Sequence, residues 1–328
     1  MFKINLKNNK TFTCDKDSTI FEAAKKNNLV LEHSCLSSRC RSCIVKVLSG
    51  KTTNKEEELV LTEEDKIANF VLSCNAKPLS DLKLDIEDLG EITIFEKKIT
   101  PSKISVIEKL TNDVIKIVLR LPPNSNFNFN SGQYVNIVKG NLKRSYSIAN
   151  YSDHKNQLEF FIKNYENGLM SAYFFKEAKI NDLLRIEGPI GTFFLRDSSF
   201  KNIIFLATGT GIAPIKSILD GLDKTHEKYK NKNFWLIVGA RYEKDLFWEP
   251  NLKNLHIKYI PVLSRQVKDW NGAQGYVQDI VLKQKIDIEN TQVYACGSND
   301  MINSAKELFF KNKLKENNFF SDAFVQTN

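Results

Sequence analysis

Four cysteines pose the first chemical question. Cys35, Cys40 and Cys43 are spaced C-x4-C-x2-C, and Cys74 follows after thirty intervening residues. Three thiolates in so short a loop can converge on a compact cluster while a distant fourth closes its far side, the plant-type [2Fe–2S] arrangement. Structural zinc competes with this reading, but zinc ribbons pair one C-x2-C with another and only one such pair is present. A Rieske centre would replace two thiolates by histidines. His33 precedes the loop, and no histidine stands near Cys74. Cys14 is isolated in an alternating stretch and reads as a small buried apolar residue.

A second group of residues is suited to phosphate and flavin chemistry. Arg144-Ser145-Tyr146-Ser147 falls in a strand-like segment, and Gly168-Leu169-Met170-Ser171 opens a short helical one. An arginine, a serine and free amides at a helix start can hold a pyrophosphate. Tyr146 could cover an isoalloxazine face, and Ser147 could hydrogen-bond its edge. Taken singly, each also fits a core aromatic or a solvated arginine. Further on, Ile203 to Pro214 is a buried strand turning through Gly209-Thr210-Gly211 into a helix. Here Pro214 replaces the third glycine of the dinucleotide fingerprint, and the next strand ends in Gly239-Ala240-Arg241 rather than an acid. Cys296 ends another strand before a helix, where it reads equally as a buried thiol or as a group at a ligand crevice.

The elements that must position these residues fall into three rhythms. Residues 1–92 alternate in short strands at 2–6, 11–14, 44–48 and 82–86. A helix beside them carries Ile20, Ala23 and Ala24 on one side, with Ser18 or Thr19 as its cap, and residues 88–91 form a hinge. Residues 98–198 read as a small antiparallel β-barrel, with strands at 105–110, 114–119, 133–138, 145–149, 158–162 and 183–187. In residues 199–328, apolar strands at 203–207, 234–239, 257–263 and 293–295 alternate with helices, the pattern of a parallel α/β sheet. The expectation is a multidomain chain: an α+β unit, a barrel, and an α/β domain.

Bulk properties narrow the function classes. The net charge of +8 lies outside residues 1–92, which hold 14 basic and 15 acidic residues; a nucleic-acid binder would be basic throughout. No stretch reaches the roughly 18 apolar residues of a membrane span. Residues 1–7 alternate like a strand and lack a secretory apolar core, so a cytoplasmic location is expected and the clustered cysteines are metal ligands rather than disulfides.

In this order, C-x4-C-x2-C…C, Arg144-Ser-Tyr-Ser, Glu187-Gly-Pro-Ile-Gly-Thr-Phe193, Gly209-Thr-Gly-Ile-Ala-Pro214 and Tyr294-Ala-Cys-Gly-Ser298 resemble the ferredoxin–NADP reductase superfamily, in the branch with an N-terminal plant-type ferredoxin domain. Within that branch, Leu121-Pro-Pro, Gly132-Gln-Tyr, Arg144 to Asn150, Leu184 to Pro189 and Phe319 to Val325 are most similar to the reductases of 3,6-dideoxyhexose formation. Oxygenase reductases of the phenol hydroxylase and methane monooxygenase type share the architecture. The resemblance implies a β-grasp-like ferredoxin domain, FAD, and electrons passing from NADH through FAD and the cluster to a partner protein. That partner would be a pyridoxamine-phosphate-dependent CDP-sugar dehydratase or, alternatively, an oxygenase component. It further implies Cys35, Cys40, Cys43 and Cys74 as cluster ligands, and Arg144, Tyr146, Ser147, Gly168 and Ser171 as FAD contacts. Gly209, Thr210 and Gly211 would meet the NAD pyrophosphate, Cys296 would lie by the nicotinamide, and Phe324 would approach the flavin. Ser264-Arg265 is similar to a 2′-phosphate site, which keeps NADPH open beside NADH. A non-catalytic carrier and a zinc-stabilised binding module are the alternatives of another class.

The cluster loop departs from the family at Ser38 and Arg41, where glycine is common. Glycine lets amides turn toward sulfur, so its loss bears on loop geometry. Arg39 and Arg41 also place positive charge beside an anionic cluster, favouring its reduced form.

Overall fold

The alternation of the first residues becomes the strand Phe2–Asn5, which pairs antiparallel with Thr11–Cys14 and parallel with Leu82–Leu84. Ile44–Ser49 and Phe70–Leu72 complete this five-stranded sheet. Across it lies the helix Ile20–Lys26, opened by a capping box in which Thr19 accepts from the Glu22 amide and Glu22 accepts from the Thr19 amide. Its buried Ile20, Ala23 and Ala24 pack with Ile4, Phe12, Val45 and Leu82. The computed structural model describes residues 1–39, 41–90, 92–152, 156–265 and 268–323, in two compact units, Met1–Ile94 and Phe95–Asn328.

Sequence reasoning did not anticipate Phe70–Leu72, the small ladder of Thr52–Asn54 with Ala76–Pro78, or the helix Glu63–Ile67. Strands of three residues are too short to display a period, and that helix buries none of its residues. The expected hinge also begins inside the first unit. Asp88 is buried, accepting from the Val30 amide at 2.7 Å and from Lys10 at 2.5 Å, and the Leu89 amide donates to Val30.

The second unit begins as an antiparallel sheet in the order Leu142–Ser147, Tyr134–Lys139, Leu183–Ile190, Lys98–Lys109, Val114–Arg120, Gln157–Lys163. Its two edges meet where the Ala149 amide donates to the Glu159 carbonyl at 2.8 Å, closing a barrel around Ile104, Ile117, Val135, Ile137, Phe160 and Ile186. A wholly parallel sheet follows, ordered Ala273–Gln274, Ile257–Leu263, Asn233–Ala240, Asn202–Thr208, Thr291–Gly297, Phe319–Ala323. The helix Ile212–Lys224 covers one face, and Val277–Lys283 and Asn299–Lys311 cover the other. Strand order reverses between Asn202–Thr208 and Thr291–Gly297, and a crevice beyond the carboxyl ends of such strands is where open α/β sheets bind ligands. The strand Phe319–Ala323 was not expected. Among the described residues, no helix is long and apolar enough to cross a membrane.

Candidate cofactor sites

The cysteine loop is held by backbone geometry that its sequence disfavours. Leu36, Ser38 and Arg41 all have left-handed φ angles, 52°, 59° and 60°, without being glycine. The first two accompany a nest: the Ser37 and Arg39 amides both donate to Cys35 Sγ, at 3.3 and 3.4 Å. Cys43 Sγ lies 3.2 Å from Cys74 Sγ, close enough for one metal ion to bridge them. The Cys43 thiol beside it lowers the Cys74 pKa to about 7, although burial opposes the shift. Ser38 Oγ is 3.9 Å from the same sulfur. Among the described residues, no three His, Cys, Asp or Glu side chains gather into one metal-sized group, and Cys40 lies outside those residues. The donor set, amides directed at sulfur and paired thiols, fits a sulfur-ligated cluster.

Arg41 has a carboxylate partner. Its Nη1 donates to the Val60 carbonyl and to Asp65 Oδ2, each at 2.6 Å, so this guanidinium is matched by a carboxylate. Asp65 in turn accepts from the Thr62 amide in a second capping box, and its hydrogen bond from Arg41 holds its carboxyl below the usual range. His33 is held inside the first unit, its Nδ1 2.9 Å from the Leu31 carbonyl and its ring 4.7 Å from that of Phe21. Cys14 is fully buried, and desolvation raises its pKa to about 11.

In the second unit, the Gly-Thr-Gly turn and the Cys296 strand end come together at the switch point. A Cβ on Gly211 would stand 2.1 Å from the Cys296 carbonyl oxygen, so only glycine lets the helix start approach that strand. Gly209 has φ +54°, and its Cβ direction is open. Thr208 Oγ1 accepts from the Ser298 amide at 3.2 Å. The Cys296 thiol is wholly buried in the core, and desolvation pushes its pKa well above the ordinary value; it is a neutral thiol here, not a thiolate. Gly209, Gly239, Asp245, Leu246, Phe247 and Trp248 line a narrow recess beside the turn, and the last four carried no motif that sequence reasoning could single out.

The barrel strand with Arg144, Tyr146 and Ser147 leads directly into this region. From the helix after Gly211, Lys216 Nζ donates to the Ala149 carbonyl at 3.1 Å and Ser217 Oγ to the Asn150 carbonyl at 2.7 Å. Tyr146 meets Phe174 edge-on at 6.0 Å, and burial raises its pKa. Ser147 is buried at the strand end opposite Tyr134. Gly168 caps the short helix Leu169–Ala172, where Ser171 Oγ donates to the Gly168 carbonyl at 2.9 Å. Gln133 Nε2 ties the Gly191 carbonyl at 2.8 Å, and Tyr294 accepts from the Arg196 amide at 2.8 Å. Ser264 and Arg265 follow the strand Ile257–Leu263, their amides bonded to the carbonyls of Ala240 and Arg241. Phe324 lies outside the described residues.

Known proteins share this arrangement. A 2Fe-2S iron-sulfur cluster binding domain matches residues 3–79, an oxidoreductase FAD-binding domain residues 101–195, and an oxidoreductase NAD-binding domain residues 205–307. The chain is 39% identical over 315 residues to the CDP-6-deoxy-L-threo-D-glycero-4-hexulose-3-dehydrase reductase of Yersinia pestis, spanning 96% of this chain and 95% of that protein. It is 37% identical over 323 residues to Protein RfbI of Salmonella typhimurium, spanning 97% and 94%. The fold is also that of the Amycolatopsis cytochrome P450 reductase GcoB, with a TM-score of 0.73 at 20% identity over 99% of both chains. Three-domain architecture and motifs define a ferredoxin reductase-type flavoprotein. The chain belongs to the family of iron–sulfur flavoprotein reductases that includes the Yersinia dehydrase reductase. It is an NAD(P)H-dependent oxidoreductase with [2Fe–2S], FAD and NADH as its cofactors, passing electrons from NADH through FAD to the cluster.

Proposed function

We propose that the final acceptor is a pyridoxamine-phosphate-dependent dehydratase carrying a CDP-sugar intermediate, which makes the chain a CDP-6-deoxy-Δ3,4-glucoseen reductase of 3,6-dideoxyhexose formation. The observation that supports this reading is the end-to-end relationship with the Yersinia reductase. The bound cofactors supply hydride transfer and the division of an electron pair into single electrons. The chain supplies position. Cys35, Cys40, Cys43 and Cys74 hold the cluster, within a domain of residues 1–92. Arg144 and Gly168 meet the FAD phosphates, Tyr146 covers the ring, Ser147 bonds its edge, and Ser171 fixes the loop around Gly168, all within residues 98–198. Gly209, Thr210 and Gly211 present amides to the NAD pyrophosphate, and Cys296, in the core behind them, lies by the nicotinamide, within residues 199–328. Phe324 would approach the flavin from the C-terminus. Hydride transfer requires no acid–base side chain, so the buried neutral Cys296 is compatible with this role. The location is cytoplasmic, where a nucleotide-sugar pathway has its substrates.

An anaerobic NADH titration followed by absorbance and low-temperature EPR tests the electron path, and bleaching of flavin and cluster together with a reduced [2Fe–2S] signal is expected. The reduced protein is then offered to a CDP-sugar-loaded dehydratase and to an oxygenase component. Turnover by the oxygenase alone would overturn the proposed acceptor. In Cys40→Ser, electron delivery to one-electron acceptors should fail while NADH still reduces the flavin.

A further inference from the structure

Among the described residues, two kinds of contact accompany the left-handed residues of the cysteine loop. Around Cys35, left-handed residues are accompanied by amide-to-sulfur bonds. At Arg41 the described contacts are of another kind, side-chain bonds from Nη1 to the Val60 carbonyl and to Asp65. The residues that receive it are themselves fixed. Glu58 Oε1 accepts the amides of Val60 and Leu61 at 2.5 and 2.7 Å, and Asp65 is locked reciprocally to Thr62 in the capping box of Glu63–Ile67. Arg41 therefore reaches from between two cysteines, in a backbone conformation that opposes its Cβ, to a hydrogen-bonded platform some twenty residues later in the chain.

We propose that Arg41 is a positioning residue for the cluster: its ion pair with Asp65 and bond to Val60 hold its own backbone in the left-handed form that glycine would adopt unaided, and Asp65 neutralises the charge this places beside the cluster. The inference rests on Cys35, Cys40, Cys43 and Cys74 being the ligands. It separates two properties that a glycine at this position would combine, backbone freedom and absence of charge. Arg41→Ala keeps the opposing Cβ and loses the clamp. Arg41→Gly loses the clamp together with the need for it. Asp65→Asn keeps a helix cap but leaves the guanidinium unmatched.

The test uses the full chain with cluster and flavin bound, following cluster loss by absorbance and iron content, and the midpoint potential by EPR-monitored titration of freshly reconstituted protein. Arg41→Ala is expected to lose its cluster about tenfold faster than the parent, and Arg41→Gly to stay close to the parent rate. Asp65→Asn is expected to shift the one-electron reduction equilibrium toward the reduced cluster by about tenfold, about 59 mV. Equal cluster lifetimes in Arg41→Ala and the parent, equally rapid loss in Arg41→Gly and Arg41→Ala, or an unmoved potential in Asp65→Asn would each overturn the proposal. If the parent chain binds no iron, the ligand assignment falls first and this inference falls with it. A normal parent signal with indifferent variants sinks the inference alone.

Discussion

The cysteine loop and the Gly-Thr-Gly turn are both tight segments proposed to meet a cofactor, yet they solve the backbone problem in opposite ways. In the loop, Leu36, Ser38 and Arg41 adopt left-handed φ angles that cost a side-chain-bearing residue about 1–2 kcal/mol each. Hydrogen bonds to sulfur and an ion pair hold them there. In the turn, Gly211 answers a shortage of space, because the neighbouring strand's carbonyl stands where a Cβ would be. Glycine thus has two separable uses, dihedral freedom and close approach. Only the first can be replaced by outside contacts.

That contrast can be broken in order of expected effect. Gly211→Ala should destabilise the second unit by about 3 kcal/mol, since the clash is with backbone that cannot rotate away. Thermal unfolding and failure of NADH to bleach the flavin would show it, while the dithionite-reduced cluster signal stays unchanged; a stable, NADH-reactive variant would refute the close-approach argument. Gly209→Ala should cost only about 1 kcal/mol, because its Cβ meets open space and φ alone opposes it. If the two alanines behave alike, the distinction between space and dihedral is lost. Leu36→Gly should be nearly neutral, stabilising by about 0.5 kcal/mol once released strain is set against greater unfolded-state freedom. A marked loss in urea melts would mean that Leu36 is held by something beyond its backbone.

The smallest effect is read with acid. Asp65 has its carboxyl pKa lowered by Arg41, so its contribution to the first unit is complete above about pH 4 and is lost as pH falls through the depressed value. Comparing urea midpoints of the cluster-free protein with those of Asp65→Asn isolates this share. Equal acid sensitivity in both would show that the pair does not stabilise the fold.

The sequence disclosed the two regions unequally. Spacing alone singled out the cysteines as candidate ligands, because few chemistries require four thiolates so placed, and buried strands around Gly209 and Cys296 announced a parallel sheet. The same letters could not reveal why Gly211 is glycine, since its constraint comes from Cys296, 85 positions later. Nor could they reveal that Asp65 matches Arg41, because the platform between them is a short exposed helix with no apolar period. Strands such as Phe70–Leu72 and Phe319–Ala323 were missed because a few residues at a sheet edge take their conformation from the neighbour they pair with.

Cys14 and Cys296 have a use in the laboratory that their sites do not suggest. Each is fully buried, one in the core of the first unit and the other in the core of the second. A thiol reagent can reach either only when the surrounding structure opens, so the labelling rate at each sulfur is a clock for the breathing of its own unit. With the other four thiols proposed as cluster ligands, two modified peptides in a single mass spectrum would time both halves of this electron conductor separately, and would show whether reduction by NADH quiets one of them before the other.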